Sequence, residues 1–148
     1  MESVMNVQVT EMTGETLEFF RTALESAGLP TDDIDLPGRS FFQFALDGIT
    51  VGWGGFEAYG EDGLLRSMVV SPDHRSKGVG SATLKIIERF AADRRVTRLH
   101  LLTTSASSFF GQHGYEVRQR GAEPLLISQT RQFRDLCPAS AFYMYKSL

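Results

Sequence analysis

The chain has 148 residues, 42% of them hydrophobic and 22% charged, with a formal net charge of −3 and one cysteine. That is the size of a single domain around one core, expected to span residues 1–148. It excludes a disulfide-stapled scaffold. The lack of a basic apolar leader or of about 18 consecutive apolar residues argues against secretion and membrane insertion, so a cytoplasmic setting is expected.

Taken in chain order, Val4–Thr10 alternates as a first strand. Thr13 is placed to cap a helix whose apolar stripe is Leu17, Phe20, Leu24 and Ala27, and Gly28 and Pro30 end it. The acidic, Pro/Gly-punctuated stretch Thr31–Gly38 reads as a loop. Arg39–Leu46 and Ile49–Tyr59 form a hairpin across Asp47-Gly48. A turn over Gly60-Glu61-Asp62-Gly63 leads into a β-rich segment, Leu64–Val70, closed by Pro72. Val79, Ala82, Ile86, Ile87 and Phe90 recur at helical spacing. Thr97–Thr103 is a strand, about Ser105 to His113 a short helix ended by Gly114, and Tyr115–Arg118 strand-like. Pro124–Arg134 is predicted helical, and Ala141–Tyr145 is a last strand. This order predicts an α/β domain around one mixed sheet.

Charge is unevenly spread. Residues 1–63 hold twelve acidic and two basic side chains, whereas residues 64–148 hold six acidic and thirteen basic ones. The second half is therefore suited to an anion, or presents a merely solvated basic surface. Nucleic acid is not favoured, because the cations are dispersed and no aromatic residues interleave with them. His74, His100 and His113 show no metal-ligand spacing with Cys137, so no metal is expected.

The sharpest motif is Arg75-Ser76-Lys77-Gly78-Val79-Gly80-Ser81, set between a strand and a helix. Glycines let consecutive backbone N–H groups converge on phosphate oxygens at the positive end of a helix, while Arg75 and Lys77 add charge. A Walker A loop is excluded because Lys77 precedes the glycines. A dinucleotide fingerprint is excluded because Thr83 stands where its third glycine belongs. A glycine-rich turn with two solvated cations is the remaining alternative.

This Arg-x-x-Gly-x-Gly element between strand and helix resembles motif A of the GCN5-related N-acetyltransferases. The resemblance implies an acetyltransferase fold, a mostly antiparallel sheet whose fourth and fifth strands splay apart to admit the pantetheine arm of acetyl-coenzyme A. It implies that Arg75 to Ser81 hold the pyrophosphate, that the backbone of Met68, Val69 and Val70 aligns the arm, and that the Val70 N–H polarises the thioester carbonyl. Thr103, Ser107 and Phe110 fall on the cofactor side. The run Phe109-Phe110-Gly111-Gln112-His113-Gly114-Tyr115 departs from the family pattern, because Phe110 replaces the tyrosine that protonates the departing thiolate, and Thr103 replaces an asparagine. Tyr115 falls at a core aromatic position.

Two residues suggest acceptor chemistry. Glu57, beside Gly54-Gly55 at the end of the third strand, is the candidate base, or a solvent-facing strand residue. Gly54-Gly55 could alternatively mark a bulge. Arg66, on the face of Leu64 and Met68, is suited to a carboxylate or similar oxyanion, or is a surface arginine. Thr104, Ser105 and Ser140 could add hydrogen bonds. The C-terminal half resembles both the short acetyltransferases that make N-acetylglutamate and the small ones associated with arsenic resistance, and Leu64-Leu65-Arg66-Ser67 leans toward the latter. The expectation is acetylation of a small acidic or zwitterionic amino acid, with an arsenic-bearing one favoured. The superfamily's habits imply a monomer or homodimer. A non-catalytic acyl-coenzyme A sensor is the alternative that Phe110 suggests.

Overall fold

The computed structural model describes residues 6–13, 15–29, 31, 39–75, 78–130, 133–134 and 140–148. The chain folds around one seven-stranded sheet with the strand order β1-β2-β3-β4-β5-β7-β6. The strands are β1 (Val7–Glu11), β2 (Arg39–Leu46), β3 (Ile49–Tyr59), β4 (Asp62–Val70), β5 (Arg98–Thr103), β6 (Glu116–Arg118) and β7 (Phe142–Ser147). The helices are α1 (Glu15–Ser26), α2 (Val79–Asp93), α3 (Ser107–Gln112) and α4 (Leu125–Ser128). Every pairing is antiparallel except β4 with β5. Among the described residues, no helix is long and apolar enough to cross a membrane.

Alternation along the strands divides the core between the two faces of the sheet. Phe42, Phe44, Phe56, Leu99 and Leu101 meet Leu84, Ile87 and Ala91 of α2 and Phe110 of α3. On the other face Phe41 packs with Phe20 and Leu24 of α1, while Leu64 and Tyr143 pack with Ile127 of α4. Helix α2 can lie close to the sheet because Gly54 has no side chain. A Cβ there would stand 2.6 Å from Cδ1 of Ile87 and 3.6 Å from the Cα of Met68.

The hairpin β2–β3 has the expected bounds, its turn at Asp47-Gly48. Elsewhere the elements shift. β4 opens at Asp62, because Asp62 already pairs with Tyr59 and the turn needs only Gly60 and Glu61. Thr16, not Thr13, supplies the capping side chain of α1. Its hydroxyl accepts from the Thr13 N–H at 2.9 Å and donates to the Thr13 carbonyl at 2.7 Å, the reach-back half of a capping box. Tyr115 leaves β6 to become a buried core residue, its hydroxyl donating to Glu88 at 2.9 Å. Helix α4 covers Leu125–Ser128, and helical backbone is met again at Phe133 and Arg134, where the Arg134 N–H donates to the Thr130 carbonyl at 3.0 Å; residues 131 and 132 between them lie outside the described residues. After Ser128 the Thr130 hydroxyl turns back to the Ile127 carbonyl at 2.7 Å and accepts from the Phe133 N–H. Residues 4–5 of the first predicted strand, nearly all of the Thr31–Gly38 loop, and Cys137 lie outside the described residues.

The feature that makes a site is the divergence of β4 from β5. Their pairing covers only Asp62 with Arg98, Gly63 with Leu99 and Leu64 with His100. Both strands run on, β4 to Val70 and β5 to Thr103, without pairing to each other. A register shift on β4 sharpens the divergence: Val69 pairs with Trp53 but Arg66 with Gly55, so Ser67 and Met68 together stand opposite Gly54. Ser67 takes a left-handed conformation, φ 61°, to make that bulge.

Candidate active site

Two hollows occupy the gap. The first, a groove of about 550 Å3, runs from the N-terminus of α2 to α3, with Arg75, Gly78, Gly80, Ser81, Phe109 and His113 on its walls. The second, a cavity of about 280 Å3, lies between β4 and the β5–α3 connection and includes Arg66, Ser67, Thr103, Thr104 and Ser105. Met68, Ala106 and Phe110 line both, so the two meet there.

The groove is built to take a phosphorylated arm. Gly78, φ 82°, is the N-cap of the fifteen-residue α2, a conformation that strains any other residue. The first turn of α2 then presents orphan N–H groups and the positive end of the helix dipole to an anion. Gly80 keeps the groove open beside Phe109, since a Cβ would crowd that ring at 3.2 Å and push on it. The Nε of Arg75 donates to the Val70 carbonyl at 3.0 Å, which ties this exposed cation to the end of β4. Val79 faces the core at 1% exposure, so only its backbone can serve the groove. Ser76 and Lys77 lie outside the described residues.

His113, to which the sequence assigned no role, is a wall of this groove. Its Nδ1 lies 2.8 Å from the Phe109 carbonyl, which can only accept, so Nδ1 carries the proton. In the neutral ring, Nε2 then accepts from the Ser81 hydroxyl at 2.7 Å. The spacing of Phe109 and His113, one helical turn apart, was the available signal.

Other predicted positions separate. Met68 and Val70 line the groove, whereas Val69 packs toward Trp53 and Phe41 on the opposite face. Phe110 stands at the junction, 8% exposed. Thr103 lines the cavity, and its hydroxyl accepts from the Ala106 N–H at 3.0 Å, which shapes the entry to α3. Ser107 opens α3 and is not among the described lining residues of either hollow. Thr104 and Ser105 line the cavity from its exposed side. Ser140 is exposed outside it, and its neighbour Ala141 takes the lining position.

Arg66 is among the residues lining the cavity, although only 4% of it is exposed. Glu57 is not among them. Its carboxylate is fully buried, receiving the Tyr59 hydroxyl and, at 3.1 Å, Nη1 of Arg66, with Nη2 of Arg39 at 3.4 Å. The cause is register. Glu57 pairs with Arg39 on one side and Leu64 on the other, so it shares a face with Arg66 and points between neighbouring strands. The adjoining glycines leave no void for a ligand, because a Cβ on Gly55 would overlap the Ser40 carbonyl and the Phe41 ring.

The closed end of the gap holds a second polar group. Arg98 grips Asp62 with Nε and Nη2 at 2.8 and 3.2 Å. The buried His100 places Nε2 2.8 Å from the same carboxylate and Nδ1 2.7 Å from the Tyr143 hydroxyl. An ionised carboxylate only accepts, so Nε2 carries the proton and Tyr143 donates to Nδ1. Arg98 holds the Asp62 carboxyl below its ordinary pKa. Burial pushes His100 below its ordinary value despite Asp62, and raises the Tyr143 phenol to about 12. This group lines neither hollow.

A sheet parted beside a glycine-bearing helix start, with a second cavity opening on the same gap, defines an acyl-transfer scaffold. A family comparison agrees: the model of the acetyltransferase (GNAT) family matches residues 6–116, and the chain belongs to that family. Members of the family take their acetyl group from acetyl-coenzyme A, and the groove described here suits that donor. The chain is 30% identical over 95 residues to an amino-acid acetyltransferase of Shewanella oneidensis, a match covering 63% of this chain and 21% of that protein. It resembles the N-acetylglutamate synthase of Neisseria gonorrhoeae, complexed with coenzyme A and N-acetyl-glutamate, with a TM-score of 0.78 at 16% identity over 100% of this chain and 36% of the other. A GNAT-family acetyltransferase from Staphylococcus aureus gives 0.72 at 18% identity, over 96% and 99% of the two chains. The chain therefore spans about a fifth of the curated relative and about a third of the synthase. At these identities the two solved structures speak for the fold alone.

Proposed function

We propose that this chain transfers an acetyl group from acetyl-coenzyme A to the amine of a small amino acid, or amino-acid analogue, that carries a further anionic group. The observation behind this reading is the meeting of the two hollows at Met68, Ala106 and Phe110, with Arg66 among the residues that line the smaller one. Acetyl-coenzyme A supplies an activated acyl thioester when bound. The residues from Arg75 to Ser81 hold the pyrophosphate by helix-start N–H groups and by charge. The backbone of Met68 to Val70 receives the arm as an added strand, and the Val70 N–H polarises the thioester carbonyl. Phe110 can donate no proton, but a thiol of pKa about 8.5 can leave as the thiolate.

Arg66 takes the acceptor's anionic group, and the hydroxyls of Thr104 and Ser105 add hydrogen bonds beside it. Transfer is then direct, from one hollow to the other. A carboxylate and an arsenic-borne oxyanion share the chemistry that Arg66 recognises. The sequence around Leu64–Ser67 supports an arsenic-bearing amino acid and a role in arsenic resistance. The amino-acid acetyltransferase relative favours an ordinary amino acid as acceptor instead, and N-acetylglutamate formation is the rival reading on that side.

Thiol release from acetyl-coenzyme A, measured with glutamate, aspartate and arsenic- or phosphorus-bearing amino acids, separates these readings. Release with the arsenic-bearing amino acid above the others is the expected result. Turnover on glutamate alone displaces the arsenic assignment, and no release with any acceptor favours a binding-only sensor. Arg66→Ala is expected to raise acceptor KM about 10- to 100-fold, the scale of a lost charged hydrogen bond, while coenzyme A affinity stays within about twofold. Equal losses of both would contradict the assigned division.

A further inference from the structure

We infer that Glu57 is a positioning residue, which fixes the guanidinium of Arg66 at the wall of the acceptor cavity without touching the acceptor itself. The inference rests on the acceptor reading of Arg66 given above.

Glu57 is not among the described lining residues of either hollow, and its carboxylate is bonded to Arg66, Tyr59 and Arg39 instead. Its side chain is 0% exposed and that of Arg66 1%, so the pair is buried in full. Buried ion pairs of this kind seldom stabilise a fold more than apolar side chains of the same volume, so stability is a poor account of this one. Geometry offers a better account. Oε2 of Glu57 takes Nη1 of Arg66 at 3.1 Å, and Ser67 Oγ takes Nε at 3.0 Å. The Phe41 ring lies under the guanidinium, 5.4 Å from its centroid. The plane of the cation is thus set from two edges and one face. Tyr59 and Arg39 hold the other carboxylate oxygen, so Glu57 is itself braced. Ser67 can reach Nε because the bulge turns it left-handed, and that same bulge carries Met68 to the junction of the hollows. A long, flexible side chain becomes a fixed donor beside the place where the acyl group arrives.

The test uses the full chain, with L-glutamate and the arsenic-bearing amino acid as probes, in turnover and in calorimetric titration of the coenzyme A-loaded protein. Glu57→Gln is expected to raise acceptor KM and Kd about tenfold, with kcat within about twofold and the pH profile unmoved. Tyr59→Phe should act in the same direction by about threefold, and keeps the test open if Glu57→Gln does not fold. In an Arg66→Ala background, Glu57→Gln should add less than about twofold, since Glu57 acts only through Arg66. A collapse of kcat with loss of a pH limb would make Glu57 the proton acceptor and overturn the inference. Full additivity with Arg66→Ala would overturn it too. If Arg66→Ala leaves acceptor binding untouched, the acceptor reading of Arg66 fails first and takes the inference with it. If Arg66→Ala weakens acceptor binding and Glu57→Gln does not, only the inference fails.

Discussion

Strands β4 and β5 lie side by side at one end and part at the other, and the two ends are furnished in opposite ways. Where they pair, Arg98, Asp62, His100 and Tyr143 bond one another in a continuous chain. Beyond Leu64 and His100 they leave the sheet open to two hollows, with glycines, hydroxyls and two arginines at their walls. A parallel pair is a weak place to end a ladder, and the side chains at its closed end compensate with charged hydrogen bonds. The lesson is one of division: cohesion is concentrated where the strands touch, so that recognition can occupy the place where they do not.

That division can be broken from either side. The largest effect is expected at the open end. Gly80→Leu forces a branched side chain against Phe109 and should weaken coenzyme A binding by more than about 100-fold, with the melting temperature little changed. Titration calorimetry checks it, and a bound coenzyme A of near-native affinity would move the cofactor away from α2. Asp62→Ala should do the reverse. It removes both Arg98 bonds and leaves the buried Nε2–H of His100 without its acceptor, at a cost of about 2–3 kcal/mol, or a fall of roughly 5–10 °C in Tm. Coenzyme A affinity should hold at a temperature where the variant is folded. Arg98→Ala, on a side chain 43% exposed, should cost less than about 1 kcal/mol.

The smallest effect is a pH dependence of the closed end. Burial holds the folded-state pKa of His100 below its ordinary 6.5, so the unfolded chain takes up this proton more readily. The stability linked to His100 is complete above about pH 6.5 and is lost as pH falls through the lowered folded value. Asp62, held below 3.8 chiefly by Arg98, loses its contribution in the same direction at lower pH. Thermal melts between about pH 8 and pH 5 should fall for the native chain and flatten for His100→Gln. Identical slopes in the two proteins would detach His100 from this behaviour.

Much of the frame was legible because its signals are local. Asp47-Gly48 dictates a two-residue turn, and the alternation on either side of it sets the bounds of β2 and β3. Gly78 marks the start of α2 by a backbone demand that few other residues meet. What escaped was the consequence of register. Reading Glu57 as a base treats β3 alone, but its direction depends on how many residues the next turn consumes. Once Gly60 and Glu61 form that turn, Tyr59 must face Asp62, Glu57 must face Leu64, and Arg66 lies on the same surface two residues on. The bulge at Ser67 and Met68 left a weaker trace, since no glycine or proline marks it on its own strand. The helix expected over Pro124–Arg134 is met in pieces: Leu125–Ser128 is helical, Thr130 turns its hydroxyl back onto the Ile127 carbonyl, and helical backbone is met again at Phe133 and Arg134.

Gly54 has a reach out of proportion to its size. A Cβ on it would meet, at Ile87, the helix proposed to hold one extremity of the donor and, at Met68, the kink proposed to receive the other. It works as the pivot of a calliper whose jaws are the start of α2 and the end of β4. A methyl group there, in Gly54→Ala, would stand 2.6 Å from Cδ1 of Ile87, so that side chain must turn away, and a jaw that settles differently would mis-set the length of arm that the protein can measure. Acyl chains one or two carbons longer than acetyl would then be the natural probes of the new gauge.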